Sequence, residues 1–455
     1  MLIFVREKYM IGNVVIIKES QVFMTMKRFF KLDQNQTNVK TEILAGITTF
    51  LTMAYIIVVN PVILSGADVP FQQVFMATIL AAVIGTLIMS FAANYPIAIA
   101  PGMGLNAYFV TEVVQQDVSY SVMFGAVFVS GILFVILSMT SLRKTLIKAI
   151  PPSLKYGITS GIGLFIAFLG LRMSGIIEPS ESTLVTLGDL TAPGQLLTVF
   201  GLIVTLILIA RNVTGGLFIG MFLTGLVGFF TGQLEINGFV DAPPAPVFWD
   251  MDIGAVFSNG LYTVVFAFLL VTIFDTTGTM VGVAEQAGFI KPDGSLPRAR
   301  AALMADASAT TVGAMFGTSP SSAYVESSSG VAAGGRTGLT TLVVAALFLL
   351  SMFFSPIVGA VSGLPAITAP VLIIVGCFMM EGLAKVNWGS FDDAFPAFII
   401  ILSMPLTSSI ATGISFGFIT YPILKLVVGK GKEVHWILYM FAIIFILQLA
   451  FFPGH

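Results

Sequence analysis

The chain has 455 residues, of which 56% are hydrophobic and only 10% charged, with a mean hydropathy of +0.98, whereas an ordinary soluble protein carries about 25% charged residues. It reads as a polytopic membrane protein. A net charge of −2 gives no basic footprint for nucleic acid, and the lone Cys377 excludes an internal disulfide framework or a multi-cysteine metal site.

Residues 1–25 contain a short apolar patch but no small-residue cleavage pattern, which argues against a signal peptide. Met26-Lys27-Arg28 looks more like a natural start, so 1–25 is expected to be disordered or artefactual. Apolar runs long enough to cross about 30 Å of hydrocarbon then fall at 44–64, 74–93, 98–114, 121–140, 154–171, 195–210 and 215–231. After a Pro-rich acidic connection at 232–252, further runs fall at 260–281, 299–316, a broken stretch to 335, 339–361, 366–380, 394–406 and 408–427. The expected fold is all-α and polytopic, with two seven-span repeats at 26–231 and 253–427, and 428–455 forms a C-terminal apolar segment outside them.

Loop charge agrees with that count. With the N-terminal cations Lys27, Arg28, Lys31 and Lys40 placed in the cytoplasm, so are Arg143, Lys144, Lys148, Lys155, Arg211, Lys291, Arg298, Arg300, Arg336, Lys385, Lys425, Lys430 and Lys432. The opposite loops are acidic or uncharged, apart from Arg172. An odd number of spans per half inverts the second half relative to the first, which implies an inverted repeat.

Two stretches make poor membrane helices. GTSPSSAYVESSSGVAAGGRTG, at 317–338, is rich in small and hydroxylated residues around Glu326, and PIAIAPGMGLNAYFV, at 96–110, has two prolines and two glycines before Asn106. Lipid offers backbone N–H and C=O groups no partner, so such backbone survives at membrane depth only inside protein or along a cavity. Broken segments in corresponding positions of two halves point to a transporter's midplane site.

Carboxylates at that depth cost several kcal/mol, roughly 2.5–3.5 on insertion scales, unless paired or protonated. Asp275 follows the apolar run FLLVTIF and precedes Thr276, Thr277, Gly278 and Thr279; it is either a site acid or a helix-end cap. Asp306, within ALMADASATTVG, is a coupling acid or a structural acceptor for backbone N–H groups of a neighbouring broken helix. Glu326 stands where extended SPSSAYV turns into a helix, so it either contacts substrate or caps the free N–H groups there. An acid at each helix start suits a neutral ligand with N–H donors, or a cation, better than an anion. Carboxylates in a partly dry site also hold protons more tightly, and one of them is a candidate proton carrier. Tyr108, Phe109, Phe274 and Tyr324 are aromatics available to stack on a flat ring, or to pack.

The motifs TEILAGITTFLTMAYIIVVNP, PGMGLNAYF, FDTTGT, ADASAT, GTSPSSAYVESSSGVAAGGRTGLT and MPLTSSIATGISFGFITYP run in order through the chain from Met26 onward. This set resembles the AzgA-like branch of the nucleobase:cation symporter-2 family, in the xanthine-uracil permease superfamily: the hypoxanthine/guanine or adenine permeases. The resemblance implies fourteen spans, a core domain at 44–140 and 260–361, a gate domain at 145–231 and 366–427, and short strands in the third and tenth spans meeting at the substrate. Carried over by motif, the substrate-binding residues are Glu326, Asp275, Gly104, Asn106, Ser327, Thr279, Phe274 and Tyr324, with Asp275 and Asp306 as proton-coupling or structural acids. Thr279 takes a place where the uracil and xanthine branches often have a second polar or charged group, which favours the purine branch.

The implied activity is secondary active import of hypoxanthine, guanine or adenine by proton symport, with Na⁺ as the other coupling ion to test. The implied setting is a bacterial cell membrane, with the N-terminus cytoplasmic. The expected partners are a purine, a proton, the bilayer and, in a homodimer, a second copy of the chain; no cofactor, metal or nucleic acid is expected. An anion transporter or channel of the related sulfate-transporter fold is the alternative, against which Asp275 and Glu326 count. An enzyme is not expected, because the chain lacks HExxH and a histidine pair in its apolar spans, having only His435 and His455.

Overall fold

The computed structural model describes residues 24–140, 149–236, 238–290 and 296–451. Most of the 1–25 segment, the cations Arg143, Lys144, Lys148 and Lys291, the boundary at 145 and His455 lie outside the described residues.

Helix α1 (Val39–Met53) starts at Asn38, whose side chain accepts the Thr41 N–H at 3.0 Å, and α2 (Ile56–Leu64) follows after a short step at Ala54 and Tyr55. Helix α3 (Phe71–Ile88) ends in a widened turn through Met89–Ala93. The chain then extends into β1 (Ile99–Pro101) before α4 (Met103–Gln115) and α5 (Tyr120–Met139). Proline sits in the first turn of α6 (Pro152–Met173) and α7 (Pro193–Ala210), where a missing N–H leaves no helix bond unmade. Between them an exposed hairpin of β2 (Ile177–Ser180) and β3 (Leu184–Leu187) was not signalled by the hydropathy pattern. Helix α8 (Gly216–Phe230) precedes the polar connection.

The second half runs through a short α9 (Ile253–Ser258), α10 (Tyr262–Gln286) and α11 (Ala299–Phe316), then β4 (Ser321–Ala323) and α12 (Ser327–Ala332). Helices α13 (Gly338–Ser351), α14 (Ser355–Ser362), α15 (Pro365–Met379), α16 (Phe391–Thr407), α17 (Ile410–Val427) and α18 (Trp436–Phe451) complete it. Among the described residues nine helical stretches are long and apolar enough to cross a membrane. The protein is therefore a mostly helical, multi-pass membrane protein.

Both broken segments contain a strand, and the strands pair with each other. β1 and β4 run antiparallel, with Ile99 opposite Ala323, Ala100 opposite Ser322 and Pro101 opposite Ser321, all six buried. A two-stranded ribbon leaves two open edges. One threonine closes each. Thr86 Oγ1 on α3 accepts the Ile99 N–H and donates to the Ile99 carbonyl, both at 3.0 Å. On the far edge Thr310 Oγ1 of α11 accepts the Ser321 N–H at 3.1 Å and donates to its carbonyl at 3.3 Å.

Around the ribbon, α11 packs along α3 and α5, and α13 along α1 and α3. A second group forms where α6 packs along α15 and α16, and α7 along α8 and α15. Buried Glu42 ties the start of α1 to the start of α13, accepting the Arg336 N–H at 2.9 Å, the Thr337 hydroxyl at 2.8 Å and the Thr340 hydroxyl at 2.6 Å. The tight turn before this clamp needs Gly334, whose φ of +103° lies in a region L side chains avoid.

Replacing Thr86 or Thr310 by isosteric valine strips two backbone groups of their partner. At about 1–3 kcal/mol per buried unsatisfied group, each variant is expected to melt well below wild type when purified in detergent. Serine at either position keeps the hydroxyl and is expected to recover most of the loss; equal melting of the Val and Ser variants would show that the hydroxyls do not close the ribbon.

Candidate functional site

Helix α10 brings Phe274, Asp275, Thr276 and Thr279 to the ribbon. It runs unbroken from Tyr262 to Gln286, so Asp275 lies within a helix and the helix-end cap reading is corrected: packing carries the helix through Gly278. Asp275 is half-buried, with the Ser322 hydroxyl of β4 beside its carboxylate. Thr276 donates to Asp306 Oδ2 at 2.5 Å and accepts weakly, at 3.4 Å, from the Ala323 N–H. Asp306 is fully buried and its Oδ1 has no hydrogen-bond partner among the described residues. Of its two readings, coupling acid or acceptor of backbone N–H groups, the second is corrected in its detail. Asp306 reaches the strand through the Thr276 hydroxyl.

Glu326 does not cap α12. The N–H groups of Ser327, Ser328 and Ser329 are taken by the carbonyls of Tyr324, Val325 and Glu326, and the Glu326 backbone is already helical at φ −57°. Its carboxylate accepts instead from the Tyr55 hydroxyl at the step between α1 and α2. Ser327 and Tyr324 fasten the ribbon: Ser327 Oγ accepts the Ala98 N–H at 3.0 Å, and the Tyr324 hydroxyl donates to the Pro101 carbonyl at 2.6 Å. Asn106 is fully buried and donates to Asn60 Oδ1 at 3.1 Å, and Asn60 donates in turn to Thr78 at 2.7 Å and Thr318 at 2.8 Å.

Three of the expected site residues line one narrow cavity. Gly104 of α4 and Phe274 and Asp275 of α10 face Ile158 and Ile162 of α6 and Met379 of α15 across it. A Cβ on Gly104 would run into Ile162 Cγ2, so only glycine lets α4 and α6 approach this closely. Glu326, Ser327, Tyr324, Asn106 and Thr279 do not line this cavity. Thr279 lies one turn beyond Asp275 on α10, and Asp275 is near enough to Glu326 and Asp306 for their charges to interact. Tyr108 and Phe109 are fully buried in the packing.

Sequence reasoning missed Tyr55, Asn60, Thr86, Thr310 and Ile162. Tyr55 and Asn60 carried a signal, as polar groups within the apolar run TMAYIIVVNP. The threonines carried none, since a lone hydroxyl is inexpensive in any helix that can bond it to its own carbonyls.

The chain is 59% identical over 429 residues to guanine/hypoxanthine permease PbuO of Bacillus subtilis (strain 168), an alignment covering 92% of this chain and 99% of that protein. It is 42% identical over 433 residues to adenine permease AdeP of Escherichia coli (strain K12), covering 94% and 97% respectively. Among solved structures, the transmembrane domain of a cyanobacterium bicarbonate transporter, BicA, superposes with a TM-score of 0.59 at 17% identity, covering 82% of this chain and 96% of that one, a likeness of fold alone. Residues 40–416 match the Permease family (Xan_ur_permease), and the chain belongs to that family.

Proposed function

We propose that this permease imports purine nucleobases, hypoxanthine and guanine or adenine, by proton symport. The observation that carries the reading is the 59% identity, over nearly the whole of both chains, to a guanine/hypoxanthine permease. The site's chemistry supports it. Asp275 and Glu326 have hydroxyl neighbours, Ser322 and Tyr55, and make no salt bridge among the described residues. They are free to accept N–H donors of a neutral ring. Acids here also disfavour the anion-transporter alternative.

Transport in this reading is alternating access between a core at 44–140 and 260–361 and a gate at 145–231 and 366–427, arranged as a seven-plus-seven inverted repeat with the N-terminus cytoplasmic. The support is that the cavity is lined by α4 and α10 on one side and α6 and α15 on the other, and that Thr86 and Thr310 play matching parts in the two halves. Glu326 accepts N–H groups from the base, exchanging its Tyr55 contact for them, because a carboxylate accepts at two oxygens and hypoxanthine and guanine both offer N1–H. Asp275, at the cavity wall, carries the proton. A change of one pKa unit between states is worth about 1.4 kcal/mol, so a modest change in burial links its protonation to occupancy.

Uptake of radiolabelled purines by a cell lacking its own purine uptake, with unlabelled competitors and a protonophore, tests substrate and coupling together. Collapse with a sodium gradient but not with the protonophore would replace H⁺ by Na⁺. Glu326→Ala is expected to lose saturable uptake while inserting normally: hydrogen bonds to a charged group are worth about 1.5–3 kcal/mol each, or some ten- to hundredfold in affinity per bond. Near-normal affinity would remove Glu326 from the site.

Gly104→Val is expected to insert but not transport, because the added carbons occupy the place of Ile162; normal transport would mean that α4 and α6 do not close there. Asp275→Asn, a mimic of the protonated acid, is expected to bind purine yet lose accumulation against a gradient. A wild-type pH profile in that variant would leave Asp275 a structural role only.

A further inference from the structure

Glu112 is a buried acid that the purine site does not use. It is 1% exposed and lies on α4, about 12 Å beyond Gly104 at 1.5 Å per residue. Gly104, Tyr108 and Glu112 follow at four-residue spacing, which puts them on one face of the helix. Glu112 Oε2 accepts from Gln116 at 3.2 Å, while Oε1 is buried without a hydrogen-bond partner among the described residues. Tyr108, packed against Phe268 of α10 with ring centroids 4.6 Å apart, also has a hydroxyl with no partner among the described residues.

Across from Glu112 stands the break between α16 and α17. Ser408 adopts a left-handed φ of +52°, and the Ser409 hydroxyl lies beside the Glu112 carboxylate. Gln115 donates to the carbonyls of Thr407 and Ser408 at 3.0 and 2.9 Å. Polar contacts thus fasten the end of α4 to this junction. No cation joins them: among the described residues Glu112 makes no salt bridge. Of the elements packed on α4, α2 has no titratable side chain, and α5 offers Tyr120, which meets Phe124 edge to face. Helix α10 offers Asp275 near the other end of α4 and carries Tyr262 and Glu285 at its own ends; α6 has Lys155 and Tyr156 at one end and Arg172 at the other, and the titratable groups of α16 and α17, Asp392, Asp393, Tyr421 and Lys425, lie away from their junction. Asp68 and Asp117 sit on exposed turns.

A buried carboxylate without a cation costs several kcal/mol, whereas a neutral carboxyl can donate from the vacant Oε1 to a neighbouring hydroxyl. We propose that Glu112 is a second proton-carrying residue, neutral while α4 is closed against the α16–α17 junction and ionised when that junction opens to water. It takes one proton at Oε1 from water and returns it to water, with no other bond changed. The inference rests on the reading of this chain as a coupled transporter in which α4 moves against α16 and α17.

The test uses the purified full chain in proteoliposomes, with hypoxanthine as probe, comparing wild type with Glu112→Gln and Glu112→Ala. The expected Gln variant exchanges hypoxanthine across the membrane with unchanged KM but loses the pH dependence of the wild-type exchange rate. Its infrared spectrum at neutral pH is expected to lack one protonated-carboxyl C=O band that wild type shows. The Ala variant is expected to lose the same band. Retention of both the band and the wild-type pH profile in the Gln variant overturns the proposal. So does loss of exchange at every pH in Gln protein that still inserts, because glutamine stands in for the protonated acid and should leave exchange by the proton-loaded form running. Failure of wild type to exchange hypoxanthine would count against the purine reading, and the infrared band would still decide Glu112.

Discussion

Backbone hydrogen bonding at membrane depth is the constraint from which the rest of this structure follows. A chain that abandons the helix there must find a partner for every N–H and C=O it frees. Here the two interrupted segments supply each other's, through three pairs of residues in β1 and β4. What two strands cannot do is close their own outer edges. Thr86 and Thr310 do this, each hydroxyl serving as donor and acceptor to one residue, and so fix α3 and α11 against the ribbon. The half helices α4 and α12 then start from a rigid base.

That base determines what surrounds the acids. Asp306, Asp275 and Glu326 are set around the ribbon beside the hydroxyls of Thr276, Ser322 and Tyr55. Elsewhere in the same chain, where the last turn of α17 returns beside the first turn of α16, the arrangement is different. Lys425 contacts Asp392 at 2.7 Å and Asp393 at 3.0 Å, with Lys430 at 3.0 Å from Asp392. An acid locked to a lysine holds helices together. An acid held by a hydroxyl can exchange that hydroxyl for another donor at small cost.

The cavity lies where the two packed groups of helices meet, and its geometry is set by a missing side chain. Gly104 lets α4 close on Ile162 of α6. Close backbone approach of this kind is common where membrane helices pack, and here it occurs beside Asp275. Movement between the groups would therefore alter the surroundings of that acid directly. Helix α18 adds a further tie, with Phe441 and Phe445 packed on both Phe266 of α10 and Phe418 of α17.

Hydropathy alone determined that the chain is a multi-pass membrane protein, and where its apolar runs lie, because burial in lipid demands long apolar stretches whatever their neighbours. The same reasoning marked 96–110 and 317–338 as interior, since backbone broken by clustered Gly, Pro and Ser finds no hydrogen-bond partner in lipid. It also singled out Asp275, Asp306 and Glu326 as acids requiring explanation, but not the buried Glu42 and Glu112. Only the tertiary structure decided what those acids touch. Asp275 proved to be inside α10, Asp306 to act through Thr276, and Glu326 to face Tyr55, a residue 271 positions away in the chain. Asn106 became a brace to Asn60, and Thr86 and Thr310 became the edges of a ribbon. Sequence spacing governs which residues share a helix face; a hydrogen bond between separate helices depends on how those helices pack, and that is decided only when the whole chain has folded.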